Sequence, residues 1–393
     1  MALTGTRVGA QTSIYTLAAN QMPDNDKMLY LLKPYQTPLW QMTYFNQIAQ
    51  PQVVINENGK FSWFEDEYYP YQTTVTNIAG GGTSEDAITG GTLTWINEGD
   101  VLHIEATDDL VYVDSIAGGN IDITILDGAT NITACTSGYM TKVGSRNHEM
   151  ATARTAVSTQ EIERYNYCEI HSETVTQSGR KQAGENWTNG KSFDDEVTKK
   201  IAEMKEELER NFLFSPGIGD GEFTVSTDYR HTVNKGLYGF LTTNKTSFVG
   251  AVGEAGIDSF LASVFAKGSN ERELMMGSDY LIAFNKIVKD KYQTTPVAKK
   301  YGVDVTQYIT PFGKANVVYN PQMKAKCYNS AFAIDLGAFK LRYMADYKKG
   351  SRKFRIEEGV ETPGTDGLST KILFDQGIQV ANEELHGLHY QAA

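Results

Sequence analysis

Apolar residues recur at spacings of three and four along SFDDEVTKKIAEMKEELERNFL, residues 192 to 213. Phe193, Val197, Ile201, Met204, Leu208 and Phe212 therefore fall on one stripe. The periodicity predicts a helix of about 22 residues, roughly 33 Å long. Ser192 followed three residues later by Asp195 marks a capped start, and Pro216-Gly217 stops the helix. Glu196 with Lys200, Lys199 with Glu203 and Glu206 with Arg210 stand four apart on the remaining surface, where each pair adds about 0.2–0.5 kcal/mol. One apolar stripe is buried and a long charged face is left to water, so the expected element is a solvated supporting beam.

Upstream the pattern changes to strands. GKFSWFEDEYYPYQTTVT (59–76) and EIERYNYCEIHSETVTQSGR (161–180) are rich in Tyr, Thr, Val and Ile, residues that suit a pleated chain. Between them GGTLTWINEGDVLHI, DDLVYVDSI and GGNIDITILDG form short alternating runs, with Ile121, Ile123 and Ile125 separated by Asp122 and Thr124. A small β-domain from about Gly90 to about Met150 is expected, entered through AGGGTSED and set between the two arms of a hairpin. An arm of about 15 residues reaches about 50 Å, and an isolated two-stranded ribbon is marginal in water. Arms that are polar on both faces cannot offset their ordering entropy alone. They need a surface, and a neighbouring copy of the chain would supply it.

Residues 1–55 are interrupted by Pro23, Pro34, Pro38 and Pro51, with MLYLLKPYQTPLWQM as one short apolar helix at most. They cannot build a core and are expected to form an arm lying on something else. After the beam, GIDSFLASVFAKG places Ile257, Phe260, Leu261, Val264 and Phe265 at helical spacing, and SDYLIAFNKIVKDKYQ gives another helix. From Val303 onward VDVTQYITPFGKANVVYNPQM, SAFAIDLGAFKLRYM and STKILFDQGIQVANEELHGLHY are strand-like. Helices beside a mixed or antiparallel sheet make the class α+β.

Composition narrows the function. Of 393 residues 40% are hydrophobic, ample for packed cores, and the net charge of −12 argues against a surface that wraps nucleic acid. The basic clusters Lys299-Lys300 and DYKKGSRKFR (346–355) read as solvated loops. Cys135, Cys168 and Cys327 lack metal or disulfide spacing, so reducing, cytoplasm-like conditions are expected and the sequons at Asn131, Asn186 and Asn244 are chance. The chain shows no signal segment and no apolar run long enough to span a membrane.

Motifs for chemistry fail on spacing. GENWTNGKSFDD (184–195) resembles a phosphate loop, but Gly190-Lys191-Ser192 requires glycine at 185, where Glu185 would point a carboxylate into the anion cradle. A loop feeding a helix accounts for it better. His386 and His389 lack an implied third ligand and are expected to be solvated or hydrogen-bonded. Consecutive Glu65, Asp66 and Glu67 alternate faces on a strand and cannot converge on one metal. GIGDGEF (217–223) lacks calcium-loop spacing. No catalytic, cofactor-binding or metal-binding residue is assigned, and no cofactor is expected.

The order of parts resembles the major capsid proteins of tailed bacteriophages. An N-terminal arm precedes a hairpin opening with FSWFEDE and returning through YNYCEIHSETVTQSG; DDEVTKKIAEMKEELERNFLFSPG, KGLYGFL, a helix-and-strand domain and GIQVANEELHGL follow. The resemblance implies the HK97-like fold, in the subgroup with a β-domain inserted in the E-loop. Its parts would be the N-terminal arm (1–55), E-loop (56–185, insertion about 90–150), spine helix and P-domain (186–275), A-domain (276–365) and return strand of the P-domain (366–393). It further implies a self-assembling icosahedral shell of pentamers and hexamers around double-stranded DNA that the acidic subunit touches only weakly. Decoration or scaffolding proteins are possible partners, and the virion, assembled in the host cytoplasm, is the location. The E-loop lies across a neighbour in that family, which makes Phe61, Trp63, Glu65, Asp66, Glu67, Tyr165, Tyr167, Arg180 and Lys181 the subunit-contact candidates. The Lys–Asn cross-linking of some members matches no residue here. A tail or baseplate component, or an enzyme using Lys191, are the competing readings.

Overall fold

A computed structural model describes residues 37–45, 52–78, 88–90, 95–117, 120–126, 138–150, 152, 154, 158–184, 192–219, 221–226, 229–288, 294–300, 303–323, 329–346 and 350–392. Residues 64–163 form one compact unit, and the flanking segments, up to Trp63 and from Arg164, form the other.

The larger unit begins with α1 (Pro38–Phe45), β1 (Gln52–Val54) and β2 (Lys60–Glu65). The inserted unit then supplies β3 (Gln72–Ile78), β4 (Ile88–Gly90), β5 (Asp100–Ile104), β6 (Asp109–Ala117), β7 (Asn120–Ile125) and β8 (Gly138–Ser145). The chain returns through β9 (Ile162–Tyr167), β10 (Glu169–Ser178) and α2 (Gly179–Ala183) to the long helix α3 (Phe193–Phe214). Next come β11 (Glu222–Ser226), β12 (Tyr229–Thr232), α4 (Leu237–Phe240), β13 (Lys245–Phe248), α5 (Glu254–Phe265), β14 (Glu271–Met276) and α6 (Ser278–Val288). The remainder is β15 (Thr294–Lys300), β16 (Val303–Ile309), β17 (Lys314–Tyr319), β18 (Ser330–Ile334), β19 (Phe339–Asp346), β20 (Gly350–Ser351), β21 (Arg355–Glu358), β22 (Gly367–Val380) and β23 (Gly387–Gln391).

Helix α3 follows its sequence pattern. Ser192 Oγ accepts from Asp195 N at 3.2 Å while Asp195 Oδ2 accepts from Ser192 N at 3.2 Å, a reciprocal cap that satisfies two otherwise free donors. Met204, Leu208 and Phe212 are buried, with Val197 and Ile201 half-buried beside them. Of the three expected ion pairs Glu206–Arg210 forms at 3.6 Å, whereas Lys200 turns to Glu203 and to Glu173 on β10. The helix is less of a free beam than its charge pattern implies, because Glu209 is wholly buried.

Two large sheets and the two-stranded β11–β12 hairpin lie in the larger unit. One runs β1-β19-β22-β10, with β20 and β21 attached; the other runs β13-β23-β18-β14-β17-β16-β15. The first core joins Leu39 and Met42 of α1, the α3 stripe and Ile372, Phe374 and Ile378 of β22. The second packs Phe260, Leu261 and Val264 of α5, with Tyr280 and Phe284 of α6, on Leu274 and Val317. In the inserted unit a sheet of order β4-β3-β8-β5-β6-β7 buries Trp95, Leu102, Val111, Val113 and Ile123.

Several expectations change. The hairpin arms are not free over their length: β2 pairs with β9 as a ribbon of six residues per strand, β3 belongs to the inserted sheet, and β10 pairs with β22 from Glu169↔Gln376 to Ser178↔Gly367. Alternation explains this, since one face of β10 turns toward α3, with Val175 half-buried against the core and Gln177 buried. The inserted sheet starts at Gln72 rather than near 90. Strands β13 and β14, before residue 277, and β23, after residue 366, pair within the seven-stranded sheet, whereas β19 and β21 join the six-stranded one. The tail 366–393 thus serves both sheets. The later part of the arm lies on its own chain, with α1 in the core and β1 parallel to β19 through Val53↔Tyr343; residues 28–36 of the anticipated helix lie outside the described residues. In the second basic cluster Arg352 pairs with Asp375 at 2.7 Å and Arg355 with Glu357 at 3.0 Å rather than standing free in water, while residues 347–349 lie outside the described residues; Lys299 and Lys300 fall in β15.

Candidate functional site at the root of the ribbon

Val54, Phe61, Trp63 and Cys168 form a small apolar cluster at the part of the ribbon that belongs to the larger unit. Phe61 and Trp63 alternate with exposed Ser62 and Phe64, so the strand turns one face inward. Trp63 packs on Phe240 with ring centroids 6.0 Å apart. Burial pushes the Cys168 thiol above its ordinary range, which leaves it un-ionised and chemically quiet. Gly221, at φ +78, fits against Tyr167 because a Cβ there would stand 2.3 Å from the ring.

Above that cluster lies a buried polar knot. Asn166 of β9 is 2% exposed. Its Nδ2 donates to Asn234 Oδ1 (3.0 Å), Lys235 O (3.0 Å) and Ile378 O (2.7 Å), and its Oδ1 accepts from Tyr167 N and Lys235 N, both at 2.9 Å. Asn234 Oδ1 also accepts from Ile378 N at 3.0 Å, and its Nδ2 donates to Asn211 Oδ1 at 2.7 Å. Glu169 Oε2 accepts from Asn211 Nδ2 (2.8 Å) and Asn234 N (3.0 Å). The knot ties β9, β10, the end of α3, the segment before α4 and β22 together. Satisfied networks of this kind fix one geometry, because any displacement strands a buried donor or acceptor.

A second anchor holds the arm. Helix α1 begins after Thr37, and its free N–H groups at Leu39 and Trp40 donate to Glu209 Oε1 (2.9 Å) and Oε2 (2.6 Å). Asn320 Nδ2 adds a third bond at 2.7 Å. Burial pushes the Glu209 carboxyl up to about 7, against the pull of these bonds.

The predicted contact residues divide. Phe61, Trp63 and Tyr167 are 7%, 7% and 5% exposed, buried within their own chain, so their side chains support the ribbon rather than reach outward. Asp66, Glu67, Tyr165, Arg180 and Lys181 are exposed and Glu65 is half-exposed. Lys60 Nζ stands 4.1 Å over the Tyr165 ring. Asn166, Asn211, Asn234 and Glu169 escaped sequence reasoning, since lone asparagines far apart in the chain carry no local pattern.

Among the described residues no three His, Cys, Asp or Glu side chains are placed to hold a metal, and no helix is long and apolar enough to cross a membrane. Residues 185–191 of the phosphate-loop likeness, and Cys135 and Cys327, lie outside the described residues. His386 Nδ1 accepts from Asp335 N at 3.2 Å, and His389 bonds Tyr280 Oη at 2.8 Å; both are buried, not solvated.

No curated protein matches the sequence. Among solved structures, the capsid of the native GTA particle is 12% identical with TM-score 0.49, covering 98% of this chain and all of that one (100%). A Mycobacterium phage Bobi structure is 9% identical, TM-score 0.47, covering 96% and 97%. The capsid of cyanophage P-SCSP1u is 9% identical, TM-score 0.44, covering 98% and 95%. Residues 4–391 match the model of the SU10 major capsid protein family, so the chain belongs to that family and is a structural subunit that joins copies of itself in the capsid of a virion.

Proposed function

We propose that the subunits close an icosahedral shell of pentamers and hexamers around double-stranded DNA, assembled in the host cytoplasm, with no catalytic role. The β2–β9 ribbon lies across a neighbouring copy. Glu65, Asp66, Glu67 and Tyr165 make the contact from the ribbon, and Arg180 and Lys181 offer cations on α2. The supporting observation is that the ribbon leaves Phe64 (67% exposed) and Ile162 (55% exposed) uncovered in the single chain, aromatic and aliphatic surface that a partner would bury. The net charge of −12 suits a lining that touches packaged DNA only weakly.

The test is expression of the chain alone, followed by size exclusion and negative-stain microscopy. Megadalton particles or capsomer rings are expected. Changing Asp66 and Glu67 together to Lys, both exposed, should leave the subunit melting temperature unchanged and abolish particles. Normal particles from that variant would refute the ribbon contact, and a stable monomer from the unaltered chain at high concentration would refute the shell reading.

A further inference from the structure

The inserted unit carries a recess of about 560 Å³ on the outer face of its sheet. On β6, Val111 and Val113 point into the core, so Tyr112 and Asp114 stand on the opposite face and form the floor; beyond the bulge between Val113 and Ser115, Ile116 also lines the recess. The turn Asn97–Gly99 and the segment holding Asn147, His148 and Arg154 form the walls.

These walls are held in place. Buried Asp100 accepts from Asn97 N (3.0 Å), Lys142 Nζ (2.6 Å) and Arg154 Nη2 (2.7 Å), and Arg154 also donates to Glu98 O. Burial alone would raise the Asp100 carboxyl; the three bonds outweigh it and hold the group below its ordinary range. Gly99, at φ +85, donates to Val113 O at 2.8 Å and accepts from Arg146 N at 2.9 Å, which ties both walls to the sheet.

The chemistry of the lining excludes several ligands. Arg154, the cation at the recess, is already paired with Asp100, while Glu98 and Asp114 add negative charge, so a phosphate or sulfate would be repelled. Ile116 and the Tyr112 ring offer too little apolar surface for a hydrophobic ligand. The described lining holds no metal cluster. Mixed donors and acceptors remain, namely the amides of Asn97 and Asn147, the Tyr112 hydroxyl, the Glu98 carboxylate and the Asp114 oxygen that does not take the Thr124 hydroxyl. Hydroxyls of a sugar can donate to the carboxylates and accept from the amides, and a pyranose face can lie on Tyr112. The volume lies within the range of small-ligand sites, about 300–1,000 Å³.

We propose that the inserted unit binds a neutral saccharide in this recess. The function stands apart from shell building, and its failure would leave the capsid reading intact. Purified particles of the full chain would be applied to a panel of uncharged di- and trisaccharides built from glucose, galactose, mannose and N-acetylhexosamines, with sialylated and sulfated sugars and spermidine as charge controls. Binding of at least one neutral saccharide is expected, weakened tenfold or more by Tyr112→Ala and by Asp114→Asn while particles still form. Asn147→Ala, on the exposed wall, is a third variant expected to weaken binding without unfolding the unit. No binding to any neutral sugar, binding only to the charged controls, or neutral-sugar binding unchanged in these variants would overturn the proposal.

Discussion

Glu209→Gln isolates the electrostatic anchor of the arm. The carboxylate is fully buried between α1 and Asn320, and burial pushes it up to about 7 from 4.5. A carboxyl with a raised folded-state pKa holds its proton more tightly in the folded chain than in the unfolded one. Unfolding free energy therefore falls as pH rises from about 4.5 to about 7 and levels off above. At about 1.4 kcal/mol per pKa unit the loss is on the order of 3 kcal/mol. The buried histidines act in the opposite direction. Burial pushes His386 and His389 down to about 4, so their contribution is complete above their ordinary 6.5 and is lost as pH falls toward 4. The raw pH profile mixes both effects, but both chains carry the histidines, so subtracting the variant's profile from the wild type's removes them. Gln keeps one acceptor for the Leu39 and Trp40 N–H groups and gives up the other, a penalty nearly independent of pH. Denaturant titrations of unassembled subunits between pH 4.5 and 8 should show the variant gaining about 3 kcal/mol relative to wild type over that range. Parallel profiles would refute the reasoning.

Asn166→Ala leaves the Tyr167 and Lys235 N–H groups without their acceptor in a buried site, and should cost about 2–6 kcal/mol in denaturant titration, at about 1–3 per stranded donor. Asn166→Asp should not restore it, because an ionised Asp cannot donate to Ile378 O and Asn234 Oδ1. Ser192→Ala removes the cap of α3 and should lower stability by about 1 kcal/mol, read as a lowered melting temperature. Gly221→Ala meets both a left-handed backbone and the Tyr167 ring, and should destabilise by more than the roughly 1 kcal/mol typical of glycine replacement alone; an unchanged melting temperature would contradict the packing described around Tyr167.

Legibility followed the range of the interactions. The α3 stripe, its cap and its stop are local, and each is found where the spacing puts it. The same holds for α5, whose Ile257, Phe260, Leu261 and Val264 are buried as expected. The ribbon was half legible. Strand propensity gave 161–180 as one arm, but the break at Cys168, where the chain passes from β9 to β10, depends on a partner in β22 some two hundred residues away. Glu209 was hidden for a related reason. It sits in a run of charged residues that reads as solvated, and only the arrival of α1 turns it inward.

Periodicity, caps and strand alternation, properties of neighbouring residues, determined the beam, the inserted β-rich segment and the α+β class. Tertiary structure alone decided which strands share a sheet, where the ribbon is clamped and which polar side chains are buried. These depend on donors and acceptors from distant segments meeting within about 3 Å, a coincidence that no local pattern encodes.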